Sequence, residues 1–212
     1  MEQSRLLFEI EKESQKLKPQ RLDVVAILLG LEFSSYLQEK VTDLQSELSS
    51  IIGEASYYWV KPKNLALEVA VLSWPESTES GNVDKDDVIR YLMSRSIRPF
   101  EVHIKGFQIH SDGCVILRVY DDGVIRGLRD SLITEVNGFP NKQSSWCHIP
   151  IGRILSPLDL DVCNSLIEKV TQSLQILVFN ELIKSISLVH EKRWYMEDVE
   201  ILYKRELNDY IY

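Results

Sequence analysis

Two short apolar segments, each with a pair of unusual positions on one face, constrain this sequence more than any other feature. The first is predicted as a strand over 65–74, in which Ala66 and Glu68 share a face because side chains alternate along a strand. The second begins at His148, which lies two residues before Pro150 and therefore shares a face with it. Ala66 in the first strand thus corresponds to His148 in the second, and Glu68 corresponds to Pro150.

The surroundings of the two segments repeat. Each predicted strand follows an amphipathic helix, over 37–51 in the first case and 124–137 in the second. The two marked positions, 66 and 148, are 82 residues apart. This order predicts an α+β fold of two pseudo-symmetric lobes, whose antiparallel sheets face a central cleft with the helices on the outside.

The rest of the chain fits a single unit with an extension. Residues 1–20 carry a thin apolar face among many charges, and they are predicted as an N-terminal helical extension. Residues 21–212 are predicted as one bilobal domain, which opens on the buried strand 22–29. The Ser156-Pro157 pair predicts the start of a long helix that runs to Val178, since serine caps helices and proline suits their first position. Further strands are predicted over 100–109, 114–120, 183–190 and 198–203.

Composition limits the classes of function. The net charge of −8 argues against a general nucleic-acid coat, because contacts to phosphates dominate that affinity. No apolar run approaches the roughly 20 residues of a membrane span. The three cysteines form no metal-binding or redox pair, which predicts reduced thiols in a cytoplasmic protein with no metal and no cofactor.

The two segments and their flanks resemble the paired signature of the 2H phosphoesterases, which include 2′,5′-RNA ligases and cyclic phosphodiesterases. Three stretches carry the resemblance: Tyr58-Trp59 with Pro62 and Asn64-Leu65 before the first strand, the Phe107 hairpin followed by Val115–Val119, and His148–Arg153. The resemblance covers about residues 21–205. It implies a His-x-Thr/Ser motif in each lobe, with two imidazoles that move protons and two hydroxyls that bind the phosphate.

Three of the four signature positions have changed. His148 matches the second catalytic histidine, whereas Ala66 stands where the resemblance places the first. At the two hydroxyl positions, Glu68 places a negative charge where a phosphate would lie, and Pro150 offers neither a hydroxyl nor a backbone N–H. Arg153 follows the second motif and is predicted to line the same cleft. Loss of one acid or base typically costs about 10²–10⁴-fold in rate.

Two substitutes for the missing histidine are open. Glu68 can act as a general base from the same strand face. Alternatively, His103, His110 or His190 can supply a second imidazole from another strand.

These observations predict a 2H phosphoesterase-like protein with little or no cyclic phosphodiesterase activity, which binds a nucleotide or another phosphate ligand. The first alternative is an active RNA-end or cyclic-nucleotide phosphodiesterase, or a 2′,5′-RNA ligase, that uses His148 with a substitute for the missing first histidine. Glu68 is the candidate second catalytic residue. The second alternative is a protein-interaction module without chemistry.

Overall fold

A computed structural model describes residues 21–73, 83–144 and 146–207 of the chain. Nine strands lie in this part of the protein: β1 (Arg21–Leu29), β2 (Tyr57–Trp59), β3 (Leu67–Ser73), β4 (Phe100–Ile109), β5 (Cys114–Tyr120), β6 (Cys147–Ile154), β7 (Val178–Ile183), β8 (Ser185–Arg193) and β9 (Asp198–Glu206). Four α-helices accompany them: α1 (Ser35–Ile52), α2 (Lys85–Ser94), α3 (Val124–Glu135) and α4 (Leu160–Ile176). The predicted extension over 1–20 lies outside the described residues.

The strands form two antiparallel sheets, and each sheet carries one of the two marked segments. The first sheet has the order β3-β1-β8-β9, and the second has the order β2-β6-β5-β4-β7. Ala66 directly precedes β3 in the first sheet, and His148 lies in β6 of the second. The α+β class with two antiparallel sheets is therefore confirmed. Among the described residues, no helix is long and apolar enough to cross a membrane.

The central strand β1 is buried on both faces, which explains its nearly continuous apolar sequence. Val25, Ile27 and Leu29 belong to the main core, together with the apolar stripe of α1. Val24, Ala26 and Leu28 form a smaller apolar cluster on the opposite face. Glu68 pairs with Leu28, so its side chain lies on the second of these faces.

Strand β3 departs from simple alternation. Its register with β1 shifts between the pairs Ile27–Ala70 and Leu28–Glu68, which leaves Val69 as an extra residue. Ala70 therefore belongs to the main core, although alternation from Ala66 and Glu68 predicts it on the cleft face. The irregularity keeps both Val69 and Ala70 buried.

Helix α4 differs from its predicted bounds at both ends. It begins at Leu160 with Asp159 at the N-cap position, and the prediction of a cap at Ser156 is wrong. The Ser156 hydroxyl instead accepts a hydrogen bond from the backbone N–H of Ser56, at 2.8 Å, which holds it in the preceding loop. At the other end, Val178 already belongs to β7, which pairs with β4 along its whole length. Pairing with an available sheet edge thus ends the helical pattern.

Candidate functional site

A cavity of about 310 Å³ lies between the two sheets. Its lining comes from both sheets, from the β2–β3 connection and from the β4–β5 and β8–β9 turns. The lining residues are Leu22, Leu28, Val60, Asn64, Ala66, Glu68, His110, Asp112, Cys114, His148, Pro150, Arg153, Glu191, Trp194, Tyr195 and Met196. The five site residues predicted from the sequence, Ala66, Glu68, His148, Pro150 and Arg153, all belong to this lining. The structure therefore brings the two marked segments together.

His148 presents an imidazole that is open to a ligand. It lies in β6 directly opposite Arg118 of β5, and its ring nitrogens have no hydrogen-bond partner among the described residues. Burial lowers the pKa of His148, and the nearby His110 and Arg129 lower it further. A neutral imidazole at neutral pH can accept a proton or a hydrogen bond.

His110 is the second imidazole in the cavity. Its ring centroid lies 6.4 Å from that of His148, and its other neighbour is Trp146, which stacks on it at 5.3 Å. Burial lowers the pKa of His110, and its Nε2 atom is buried without a hydrogen-bond partner among the described residues. Of the three histidines proposed as substitutes, this one is adjacent to His148.

The other two histidines are engaged outside the cavity lining. His103 hydrogen-bonds Asn180 across the β4–β7 pair, at 2.9 Å. His190 contacts Asp23 at 2.5 Å, and its strand neighbour Glu191 faces the cavity instead. The structure therefore does not bring His103 or His190 to the site.

Two carboxylic acids line the cavity from the first sheet. Burial raises the pKa of Glu68, and the negative charge of Glu191 adds to this, while Arg129 opposes it. Burial also raises the pKa of Glu191, although its Oε1 atom accepts a hydrogen bond from the backbone N–H of Met196 at 3.0 Å. Both acids are therefore protonated at a higher pH than exposed glutamates are.

Arg153 is buried and its guanidinium is already bonded. Its Nε atom donates to the Tyr195 hydroxyl at 2.7 Å, and Nη1 donates to the backbone oxygen of Asp112 at 3.1 Å. The Asp112 carboxylate lies 3.2 Å from the same nitrogen, and the Trp194 ring lies against the guanidinium at 5.2 Å. Arg153 thus joins β6 to two turns, and this use of its donors competes with binding of an anion.

The β8–β9 turn closes the cavity from the first sheet. Tyr195 and Met196 have φ of 59° and 57°, a left-handed conformation that is unusual for side chains of this size. The Tyr195 ring stacks on Tyr58 of β2 at 5.3 Å, and Asn64 donates to its backbone oxygen at 3.2 Å. Contacts with the second sheet thus hold a strained turn in place, a combination typical of functional sites.

Arg129 connects the two marked segments, and its role was not predicted from the sequence. From α3 it donates to the backbone oxygens of Val69 at 2.5 Å, Glu68 at 3.1 Å and Trp146 at 3.2 Å. The sequence contains one signal of this role: Arg129 stands four residues after Ile125, on the apolar stripe of the helix. A charged residue at such a position needs buried partners.

No group of three or more metal-ligating side chains occurs in the part of the chain that the structure describes. The chemically active groups are two neutral imidazoles on one sheet and two carboxylic acids on the other. Such groups can exchange protons with a ligand between them and can hydrogen-bond its oxygens.

Comparisons with known proteins find the same fold in solved structures. No family profile and no curated protein matches the sequence. The structure matches Escherichia coli LigT complexed with 3′-AMP at 11% identity, covering 90% of this chain and 100% of that one, with a TM-score of 0.56. It matches TT0787 of Thermus thermophilus at 14% identity, covering 87% and 97%, with a TM-score of 0.57. A conserved protein of unknown function from Agrobacterium tumefaciens matches at 12% identity, covering 93% and 91%, with a TM-score of 0.60.

Proposed function

We propose that this chain, which has the fold of the 2H phosphoesterases, binds a nucleotide or similar phosphate ligand in its cleft and has little or no cyclic phosphodiesterase activity. One observation supports this most directly. All four signature positions line one cavity between the sheets, and three of them carry residues that cannot perform the chemistry that the resemblance implies. On this proposal the cleft lies where the resemblance places it, but its residues no longer transfer protons.

The lack of hydrogen-bond donors for the transition state is expected to lower the activity more than the loss of the first histidine does. Charge on the transferring phosphoryl oxygens needs preorganised donors, which usually supply the largest catalytic term. Pro150 offers no donor, and Glu68 offers one only when it is protonated. Arg153 is the arginine of the lining, and its Nε and Nη1 atoms already donate to Tyr195 and Asp112. The cavity is therefore poorly equipped to stabilise a phosphoryl transition state.

Binding a ligand requires fewer functional groups in this cavity than catalysis does. Its volume of about 310 Å³ lies at the lower end of the range for small-molecule sites, about 300–1,000 Å³. His148 has free ring nitrogens, and Trp194 and Tyr195 offer aromatic surface for a base. LigT, which shares the fold, is described in complexes with phosphate, 3′-AMP and ATP.

The two acids make this binding dependent on pH. Ionised Glu68 repels a phosphate, whereas protonated Glu68 can donate a hydrogen bond to it. His148 changes in the same sense, because protonation turns a neutral ring into a cation. We therefore expect phosphate affinity to rise as the pH falls from neutral through the raised pKa of Glu68.

Calorimetric titration with 3′-AMP and turnover of a 2′,3′-cyclic nucleotide test this proposal together. We expect 3′-AMP to bind, and Glu68→Thr to bind it about tenfold more tightly at neutral pH, which corresponds to about 1.4 kcal/mol of removed repulsion. Cyclic-nucleotide turnover is expected at least about 10³-fold below that of E. coli LigT. Robust turnover that disappears in His148→Ala would contradict the proposal.

A second candidate function, an active phosphodiesterase, is favoured by one observation. His148 and Glu68 line the cavity from opposite sheets, with a lowered pKa on the imidazole and a raised pKa on the acid. In-line displacement requires the general base and the general acid to lie on opposite sides of the phosphate. His110 satisfies this requirement less well, because it lies on the same sheet as His148. Turnover abolished equally by His148→Ala and Glu68→Gln, and retained in His110→Gln, would favour this candidate.

We further propose that residues 21–212 act as one domain carrying the 1–20 extension, and that the protein works in the cytoplasm. The shared core of the two sheets supports the first proposal. The cysteines support the second, since Cys114, Cys147 and Cys163 are all unpaired.

A further inference from the structure

A second cavity, of about 330 Å³, lies beside the cleft on the second sheet. Its lining contains three arginines, Arg118, Arg126 and Arg129, against a single carboxylate, Asp121. That carboxylate already accepts a hydrogen bond from the backbone N–H of Ile125, at 2.8 Å. The cavity is thus locally cationic on a chain with a net charge of −8. We call it the arginine groove.

Two of these arginines are available to a ligand. Arg118 is half-buried in β5 and has no hydrogen-bond or ion-pair partner within residues 21–73, 83–144 and 146–207. The Arg126 side chain is 85% exposed, and its carboxylate neighbour Asp130 lies 3.8 Å away, at the limit of an ion pair. Arg129 differs from both, because its donors are used by three backbone oxygens.

Aromatic side chains border the arginine groove. Trp146 is 49% exposed and Tyr120 is 48% exposed, and both belong to its lining. Proteins that bind single-stranded nucleic acids combine exposed aromatic surfaces, on which bases stack, with arginines that bind the phosphates. A groove for a simple inorganic anion has no need of the exposed rings.

The arginine groove is adjacent to the cleft. Trp146 stacks on His110, which lines the cleft, at a ring distance of 5.3 Å. Arg118 is the direct cross-strand partner of His148, so their side chains lie side by side on one face of the sheet. A ligand that contacts His148 can therefore extend to Arg118 without leaving this face.

We propose that the arginine groove is a second binding site, which holds the phosphate and base that neighbour the nucleotide in the cleft. This proposal rests on the proposed function, and it names the ligand class as a single-stranded oligonucleotide rather than a mononucleotide. Arg118 and Arg126 bind the flanking phosphate, and Trp146 stacks on the flanking base.

Fluorescence anisotropy and calorimetry with two probes, 3′-AMP and a short single-stranded oligoadenylate, test the proposal. We expect the oligonucleotide to bind wild type at least about tenfold more tightly than 3′-AMP. Arg118→Gln and Arg126→Gln should each weaken oligonucleotide binding several-fold and lower its logarithmic salt dependence by about 0.7, and leave 3′-AMP binding unchanged. Trp146→Leu should weaken oligonucleotide binding by about fivefold or more.

Arg90→Gln is the matched control, because it removes one exposed cation from α2, outside the groove, and should change neither affinity. Arg126 is so exposed that its variant reports on binding even if Arg118→Gln fails to fold. An oligonucleotide that binds no better than 3′-AMP, or that loses equal affinity in Arg90→Gln, would overturn the arginine groove and leave the proposed function standing. A poly-glutamate peptide that binds as tightly as the oligonucleotide would also overturn it, in favour of an acidic protein partner. If 3′-AMP fails to bind, the proposed function falls, and the groove as the flank of a cleft-bound nucleotide falls with it.

Discussion

Arg129→Met should strongly destabilise the protein, because this arginine joins the two segments that carry the site. The arginine is 5% exposed and donates to three backbone oxygens, two within β3 and one just before β6. Methionine fills much of the same volume and offers no donor. Each charge-assisted hydrogen bond contributes about 1.5–3 kcal/mol, and removing the buried guanidinium offsets part of that loss. We therefore expect the free energy of unfolding to fall by about 3–5 kcal/mol.

Urea unfolding followed by circular dichroism measures this change, with Arg126→Met as the control. Arg126 lies on the same helix with its side chain 85% exposed, so its replacement should change the free energy of unfolding by less than about 0.5 kcal/mol. Arg129→Lys should recover only part of the loss, because one ammonium cannot match the fork geometry of a guanidinium. A loss below about 1 kcal/mol in Arg129→Met would refute the assignment of Arg129 as the connection between the segments.

Three further outcomes follow from the site. Glu68→Gln should stabilise the protein by up to about 1 kcal/mol near neutral pH and by nothing in acid, because a raised folded pKa lowers stability as the pH rises from the ordinary glutamate pKa of the unfolded chain to the raised pKa of the folded one; a pH series of thermal unfolding measures this. Tyr195→Phe should lower the free energy of unfolding by about 1–2 kcal/mol because it removes the acceptor of Arg153, whereas Tyr57→Phe serves as the control with almost no effect in the same urea assay. Gly152→Ala should cost at least about 2 kcal/mol on chemical denaturation, because its Cβ would overlap the tryptophan ring of β2 and lie 2.7 Å from a β2 carbonyl oxygen; unchanged stability would contradict this packing.

The sequence located the cleft because strand alternation and a repeated order of elements are local properties. Ala66 and Glu68 were expected on one face, and His148 and Pro150 on a facing strand, and the cavity contains all four. The place of Ala70 was missed, since a bulge at Val69 depends on pairing with β1 and leaves no mark in the sequence. Helix α4 was predicted too long at its C-terminal end for the same kind of reason, because an available sheet edge decides where β7 begins. Its start was misplaced because the Ser156 hydroxyl bonds the backbone of Ser56.

The residues that complete the site came from elements without a motif. His110 was one of three open candidates, and only the register of the β4–β5 hairpin with β6 brings it within ring contact of His148. Glu191 had no signal, since an acid in an alternating strand is normally solvated. The left-handed turn at Tyr195 and Met196 lacks the glycine or asparagine that usually marks such a turn. Tertiary contacts with the second sheet decide that conformation.

Arg153 has a structural role that does not depend on any ligand. It bonds the Tyr195 hydroxyl and the Asp112 backbone, so it connects the second sheet to the turn that closes the cavity from the first. Its loss would release that turn whether or not a phosphate is ever bound. Ala66 and Pro150, in contrast, make no side-chain hydrogen bonds, because neither side chain has a polar atom. Replacing Arg153 therefore disturbs the contacts that hold the cavity together, whereas replacing Ala66 or Pro150 removes no side-chain hydrogen bond.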